Sequence, residues 1–152
     1  FVKREDVGLF VLRLAGLGLA LAHGLPKAMA LASGQSRLPE AVARLGFPLP
    51  TAFAWAAALA ELAGGLLVAL GLFTRVGAAL AAFTMFVAAF FQHHALSRLL
   101  VGLRLRYVSD DTIKAWGNPE LALMYLAVLL AVLIMGPGGI AFDSLMGKRG
   151  RR

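Results

Sequence analysis

The chain has 152 residues, of which 60% are hydrophobic and only 15% charged, with a mean hydropathy of +0.79. A soluble domain carries about 25% charged residues, so this composition excludes an ordinary water-soluble globule and points to a single membrane-embedded domain spanning 1–152. The formal charge is +7 and cysteine is absent, which excludes a disulfide framework, a thiol redox centre and a Cys-ligated metal; the basic residues lie mostly between or beyond apolar runs, as in loops beside anionic lipid, and form no nucleic-acid motif.

Four apolar runs follow in chain order: Val7–Ala22, Ala52–Phe73, Val76–Phe91 and Leu121–Met135. None alternates with a period of two, so helices are expected rather than barrel strands. With their flanks they predict spans of about 7–23, 52–73, 76–94 and 120–136. Lys3-Arg4, the first apolar run and Ala20-Leu21-Ala22 mimic a signal peptide. Three further runs favour a spanning helix. The expected fold is all-α, an integral membrane four-helix bundle.

The connections are unequal. Thr74-Arg75 alone separates the second and third runs, which predicts a tight hairpin. Residues 23–51 and 92–120 form two long connections, and four spans place both on one face. The first connection contains Leu38–Leu45, a candidate short interfacial helix. The second contains Leu99–Tyr107, apolar with interspersed arginines, a candidate amphipathic surface piece. Basic residues are balanced between the two faces. The cluster Lys148, Arg149, Arg151 and Arg152 is the densest, and it assigns both termini to the cytoplasm.

Charges within the spans carry the functional reading, because an ionisable side chain in lipid is expensive. Arg13 lies ten residues before His23, and Glu61 ten residues after Thr51. At 1.5 Å per residue each is about 15 Å from the loop face. This reading pairs Arg13 with Glu61 at mid-membrane, as a register-fixing ion pair or as the deep end of a pocket. At the opposite face, Asp143 returns to the level of Arg75, which predicts a second, structural ion pair.

Nearer the loop face, His23 and Lys27 follow the first run, Gln92, His93 and His94 close the third, and Glu120 opens the fourth. Imidazoles there can exchange protons near neutral pH. His23, Glu61, His93 and His94 are therefore the catalytic candidates, and Arg13, Lys27, Glu61 and Glu120 the candidates for holding a cofactor. Adjacent His93-His94 point about 100° apart on a helix, which disfavours a shared metal ion. No haem signature accompanies the histidines, and no metal site is assigned. Dinucleotide, phosphate-loop and GxSxG signatures are absent.

Taken in order, HGLPK at His23–Lys27, ELAGGLLVALGLFTR at Glu61–Arg75, QHH at Gln92–His94, PELALMYL at Pro119–Leu126 and GPGGIAFD at Gly136–Asp143 resemble the DoxX family of small four-helix membrane proteins. The likeness covers nearly the whole chain, and only Ala95–Asn118 departs from the pattern. It implies a multipass protein of a bacterial cytoplasmic membrane associated with oxidoreductase systems; relatives include a subunit of thiosulfate:quinone oxidoreductase. His23, Lys27, Glu61, Arg75 and Asp143 occupy the family's motif positions. Two readings follow. In one, the chain is a membrane redox component holding a quinone-like or other apolar molecule between its helices, with electrons supplied by a partner or a soluble donor. In the other, it is a non-catalytic accessory or assembly subunit of a larger membrane complex or a homo-oligomer. A transporter ranks below both, since four short helices form a path only by oligomerising.

Overall fold

The computed structural model describes the backbone of residues 3–149 and the side chains of residues 3–146. The side chains of the C-terminal basic cluster lie outside that range. Every regular element among the described residues is helical. Helix α1 (Arg4–Leu19) passes through a π turn (Ala20–Gly24) into α2 (Leu25–Ala32), and the three form one continuous helix, Arg4–Ala32. Helix α3 (Leu38–Arg44) is short, and α4 (Pro50–Leu70) crosses back. Helix α5 (Thr74–Val87) continues through a second π turn (Ala88–Gln92). Then come α6 (Ala95–Gly102), α7 (Asp110–Ala115), α8 (Glu120–Met135) and α9 (Phe142–Arg149).

Arg4–Ala32, Pro50–Leu70 and Thr74–Gln92 are each long and apolar enough to cross a membrane, and α8 is a shorter apolar helix. At 21 residues, α4 measures about 31 Å, the thickness of a hydrocarbon core. Packing joins α1 to α4, α4 to α5, α5 to α8 and α8 back to α1, closing a four-helix ring. The chain is therefore an all-α integral membrane protein.

The bundle is small inside and large outside. Ala54, Ala58, Ala78, Ala81, Ala82 and Ala89 are buried, whereas Val76, Leu80, Phe83, Met124 and Ile134 are exposed. In lipid the tails are as apolar as leucine, so helices gain little by hiding large side chains. They gain by bringing backbones close, which small residues permit. Gly16 and Gly65 face each other across α1 and α4, and a Cβ at either would lie 2.5–2.6 Å from the other's carbonyl oxygen. Gly64 and Gly77 make the same crossing between α4 and α5. Gly65→Ala is expected to destabilise the purified protein by about 2 kcal/mol through overpacking. Gly8→Ala, where the added methyl meets nothing within 4 Å, should not. Thermal unfolding in detergent measures both.

The first helix differs from expectation. It does not end near His23 but continues to Ala32, so His23 lies in the π turn and Lys27 on the helix. The helix shifts against α4 accordingly. Gly24 packs on the backbone of Glu61 and Leu62, Gly16 on Gly65 and Val68, and Arg13 on Gly71. Arg13 and Glu61 therefore stand about ten residues, roughly 15 Å, apart in height.

The hairpin between α4 and α5 is tight, as expected. Gly71 closes α4 at φ +71, satisfying the last carbonyls, and Phe73 also takes a left-handed conformation. The expected interfacial helix is α3. The expected amphipathic piece is helical only as α6, earlier than Leu99–Tyr107; beyond Gly102 the chain turns, with Arg104 at φ +58. The third helix stops at Gln92, and His94 takes φ +50.

Candidate functional site

At the end of the bundle holding both termini, Arg13 is 2% exposed. Its two terminal nitrogens donate to the carbonyls of Pro137 and Ile140, each at 2.7 Å. The turn after α8 thus lays its carbonyls over the guanidinium. Asp143 accepts from Phe73 N (2.8 Å), Thr74 N (2.9 Å) and the Thr74 hydroxyl (2.8 Å), and its own N–H donates to Gly71 O. Arg75 donates instead to Ile134 O at 3.4 Å. The expected Arg75–Asp143 pair is not made, because the open first turn of α5 offers Asp143 three donors of its own. Asp6 adds a tie by accepting from Gly139 N at 2.6 Å.

Burial by itself would raise the Asp143 carboxyl. The bonds from Thr74 and Phe73, with the nearby Arg13 charge, outweigh it and hold the group below the usual carboxylate range. A carboxyl lowered on folding stabilises the folded state fully above its unfolded value, about 3.9, and loses that contribution as pH falls through the lower folded value. Unfolding midpoints of the wild type should fall between about pH 5 and pH 3, and more steeply than those of Asp143→Asn.

The expected Arg13–Glu61 pair is likewise absent. Glu61 is 2% exposed and meets Lys27, whose Nζ donates to Oε1 at 2.5 Å and Oε2 at 2.7 Å. The longer first helix explains the exchange. It lowers Arg13 to the C-terminal turn and brings Lys27 one turn beyond Gly24, the residue packed on Glu61. The Lys27 side chain is 34% exposed, against 3% for Glu61, so the pair runs from the interior towards the loop face.

Two adjoining cavities open around this pair. One, about 230 Å³, lies between α4 and α5 under α3 and is walled by Val42, Phe47, Ala57, Leu80 and Phe83, with Glu61 at its edge. The other, about 260 Å³, is lined by His23, His93, Asn118, Ala122 and Tyr125. Lys27, Leu38, Ala88 and Gln92 belong to both. Leu38 and Asn118 come from the two long connections, so both connections cover the same end of the bundle.

Each π turn contributes to the polar cavity, the first through His23 and the second through Ala88 and Gln92. A π turn holds one residue more than an α turn and re-aims the side chains near it. His23 sits edge-on to Tyr125, centroids 5.7 Å apart. His93 Nδ1 lies 2.9 Å from Trp116 O. A carbonyl only accepts, so Nδ1 carries the hydrogen, and in the neutral ring Nε2 is left as an acceptor.

The other candidates lie elsewhere. His94 packs on the Trp116 ring, centroids 5.0 Å apart, and lines neither cavity. Glu120 is exposed, with its N–H bonded to Asn118 Oδ1 at 2.9 Å. Arg13 lines neither cavity. Asn118 and Tyr125 were not anticipated. Tyr125 was findable, as the one hydroxyl in the last apolar run; Asn118 gave no signal beyond preceding Pro119. Among the described residues no group of three or more His, Cys, Asp or Glu side chains is arranged to hold a metal ion.

Chemically, the site offers an ammonium with two of its three N–H groups on Glu61, an imidazole acceptor, a phenol and two amides, beside an apolar chamber. The DoxX family profile matches residues 8–94, which include His23, Lys27, Glu61 and His93. The inner membrane protein YphA of Escherichia coli (strain K12) is 33% identical over 143 residues, covering 94% of this chain and 93% of that protein. No solved structure gives a significant match. With more than half of the chain under the family profile and a relative alike along nearly its whole length, this protein belongs to the DoxX family.

Proposed function

We propose that the chain is a membrane-embedded component of an oxidoreductase system that holds a quinone-like small molecule beside Lys27 and Glu61. The observation that carries this reading is a buried carboxylate, paired with a partly exposed lysine, that opens onto an apolar cavity in the membrane-spanning region. Apolar pockets with a few converging polar groups are the usual form of small-molecule sites, and ionisable groups within a span mark function. Reduction of a quinone takes up two electrons and two protons. Lys27 donates a hydrogen bond to a ring oxygen, and His93 Nε2 accepts from the hydroxyl of the reduced form. His23, against Tyr125, stands where protons taken up in the reduction would enter from the loop face. Electrons come from a partner protein or a soluble donor. The name of the Escherichia coli relative supports placement in the inner membrane, and the density of basic residues at the C-terminus supports a cytoplasmic side for both termini.

The test is direct. Protein purified in mild detergent should yield a quinone on solvent extraction, and Glu61→Gln and His93→Ala should each lower quinone-dependent turnover of the assembled system about tenfold or more, with helicity intact. Empty extracts and unchanged turnover in both variants would reject the proposal.

One surface favours the alternative of an accessory or assembly subunit. Leu99, Leu103, Leu105 and Tyr107 are all exposed, with Tyr107 at 95%, and they lie outside the residues matched to the family. If that reading holds, Tyr107→Ala and Leu103→Glu abolish co-purification of a partner while Glu61→Gln does not.

A further inference from the structure

Resting on the reading above, we infer that the two cavities form one threaded site, in which the polar cavity holds the head of a membrane-borne amphiphile and the apolar cavity its hydrocarbon tail. Lys27 forms the neck, since it lines both cavities together with Gln92. The apolar cavity is shaped for a tail. Half-buried Ala57 and Ala60 line it, where larger side chains would fill it. Its rim is Phe53, Leu80 and Phe83, which are 41%, 50% and 62% exposed on the surface that faces lipid. A chain leaving between α4 and α5 therefore passes straight into the hydrocarbon.

The polar cavity selects the head by charge. No carboxylate lines it, and its single cation, Lys27, is already matched by Glu61 at 2.5 and 2.7 Å. An anionic head would draw Lys27 away and leave the buried Glu61 unpaired, which is strongly unfavourable. A neutral head with oxygen acceptors takes the remaining Lys27 N–H without disturbing the pair. Gln92, Asn118 and Tyr125 surround it with further hydrogen-bonding groups. The ligand class is thus a neutral, carbonyl-bearing ring with one hydrocarbon tail, oriented ring towards the loop face.

The purified chain is titrated in detergent with a tail-free benzoquinone, with the same ring carrying an isoprenoid tail, and with a long-chain fatty acid. The tailed ring should bind roughly tenfold more tightly than the bare ring. Ala57→Phe should remove that gain and weaken the tailed ring far more than the bare one. Ala122→Phe, in the polar cavity, should weaken both rings roughly tenfold or more. Ala57→Val and Ala122→Val provide the same contrast should the larger side chains prevent folding. The reverse pattern, with bare-ring binding lost in the Ala57 variant and kept in the Ala122 variant, would overturn the threading while leaving quinone binding in place. A fatty acid that outcompetes the tailed ring would overturn the neutral head. Failure of both rings to bind would overturn the threading and the functional proposal together.

Discussion

Lys27→Met is expected to destabilise the protein by about 3 kcal/mol at neutral pH, and Glu61→Gln by only about 1 kcal/mol. The asymmetry follows from where the two groups sit. Glu61 is almost wholly enclosed, whereas a third of the Lys27 side chain is exposed. Removing lysine strands a buried carboxylate packed against Gly24 of the first π turn. Removing the glutamate charge leaves an ammonium on a flexible stem that can turn towards the loop face. Lys27→Met/Glu61→Gln should be less damaged than Lys27→Met alone, because no charge is left without a partner. Unfolding followed by circular dichroism in detergent reads all three. Equal losses in the single variants, adding in the double, would show that the two groups do not act as a pair.

Arg13→Leu should cost about 3 kcal/mol or more, and the damage should be concentrated at the opposite end of the molecule. Arg13 makes two charge-assisted bonds to backbone carbonyls, each worth about 1.5–3 kcal/mol. Its loss leaves the Pro137 and Ile140 oxygens without that donor and takes a positive charge from beside Asp143. The turn after α8 should then lift from the bundle. Hydrogen exchange at the Asp143 amide, which donates to Gly71 O at 2.8 Å, should accelerate, and protease should cut after Met135. Protection within α4 and α5 should change far less. Uniform loss of protection across all helices would instead make Arg13 a global rather than a local clamp.

Several features were legible in the sequence because they depend on local physics. The four apolar runs give helices because unpaired backbone in lipid is forbidden. The break placed at Thr74-Arg75 was too short for anything but a hairpin, although the turn itself lies at residues 71–73 and Thr74 already opens α5. Glu61 was recognisable as enclosed and partnered because a bare charge within a span is costly. The convergence of His23, Lys27, Gln92 and His93 at one face followed from counting spans, but the same count drew in His94 and Glu120, which line neither cavity. The partners were misjudged, however. Arg13 was matched to Glu61 by measuring depth from His23, and that measurement failed because the first helix continues past His23 to Ala32. Nothing local ends or extends a helix at HGLPK: glycine and proline argue for a stop, yet Pro26 falls at the start of α2, just after a π turn, where its missing N–H is tolerated. The Arg75–Asp143 expectation failed for a related reason. Charge matching ignored the free N–H groups at the start of α5, which bind Asp143 directly.

The sequence by itself determined that this is a helical membrane protein of the DoxX family with a carboxylate enclosed among its spans, because composition, apolar run length and motif order are properties of the chain read in one dimension. Only the tertiary structure decided which cation meets that carboxylate, that His23 and His93 but not His94 line the cavity, and where the cavity opens. Those depend on the sliding register of α1 against α4, fixed by the contact of Gly16 with Gly65 and of Gly24 with Leu62. A shift of a few turns there costs the sequence pattern nothing, yet it exchanges Arg13 for Lys27 as the partner of Glu61.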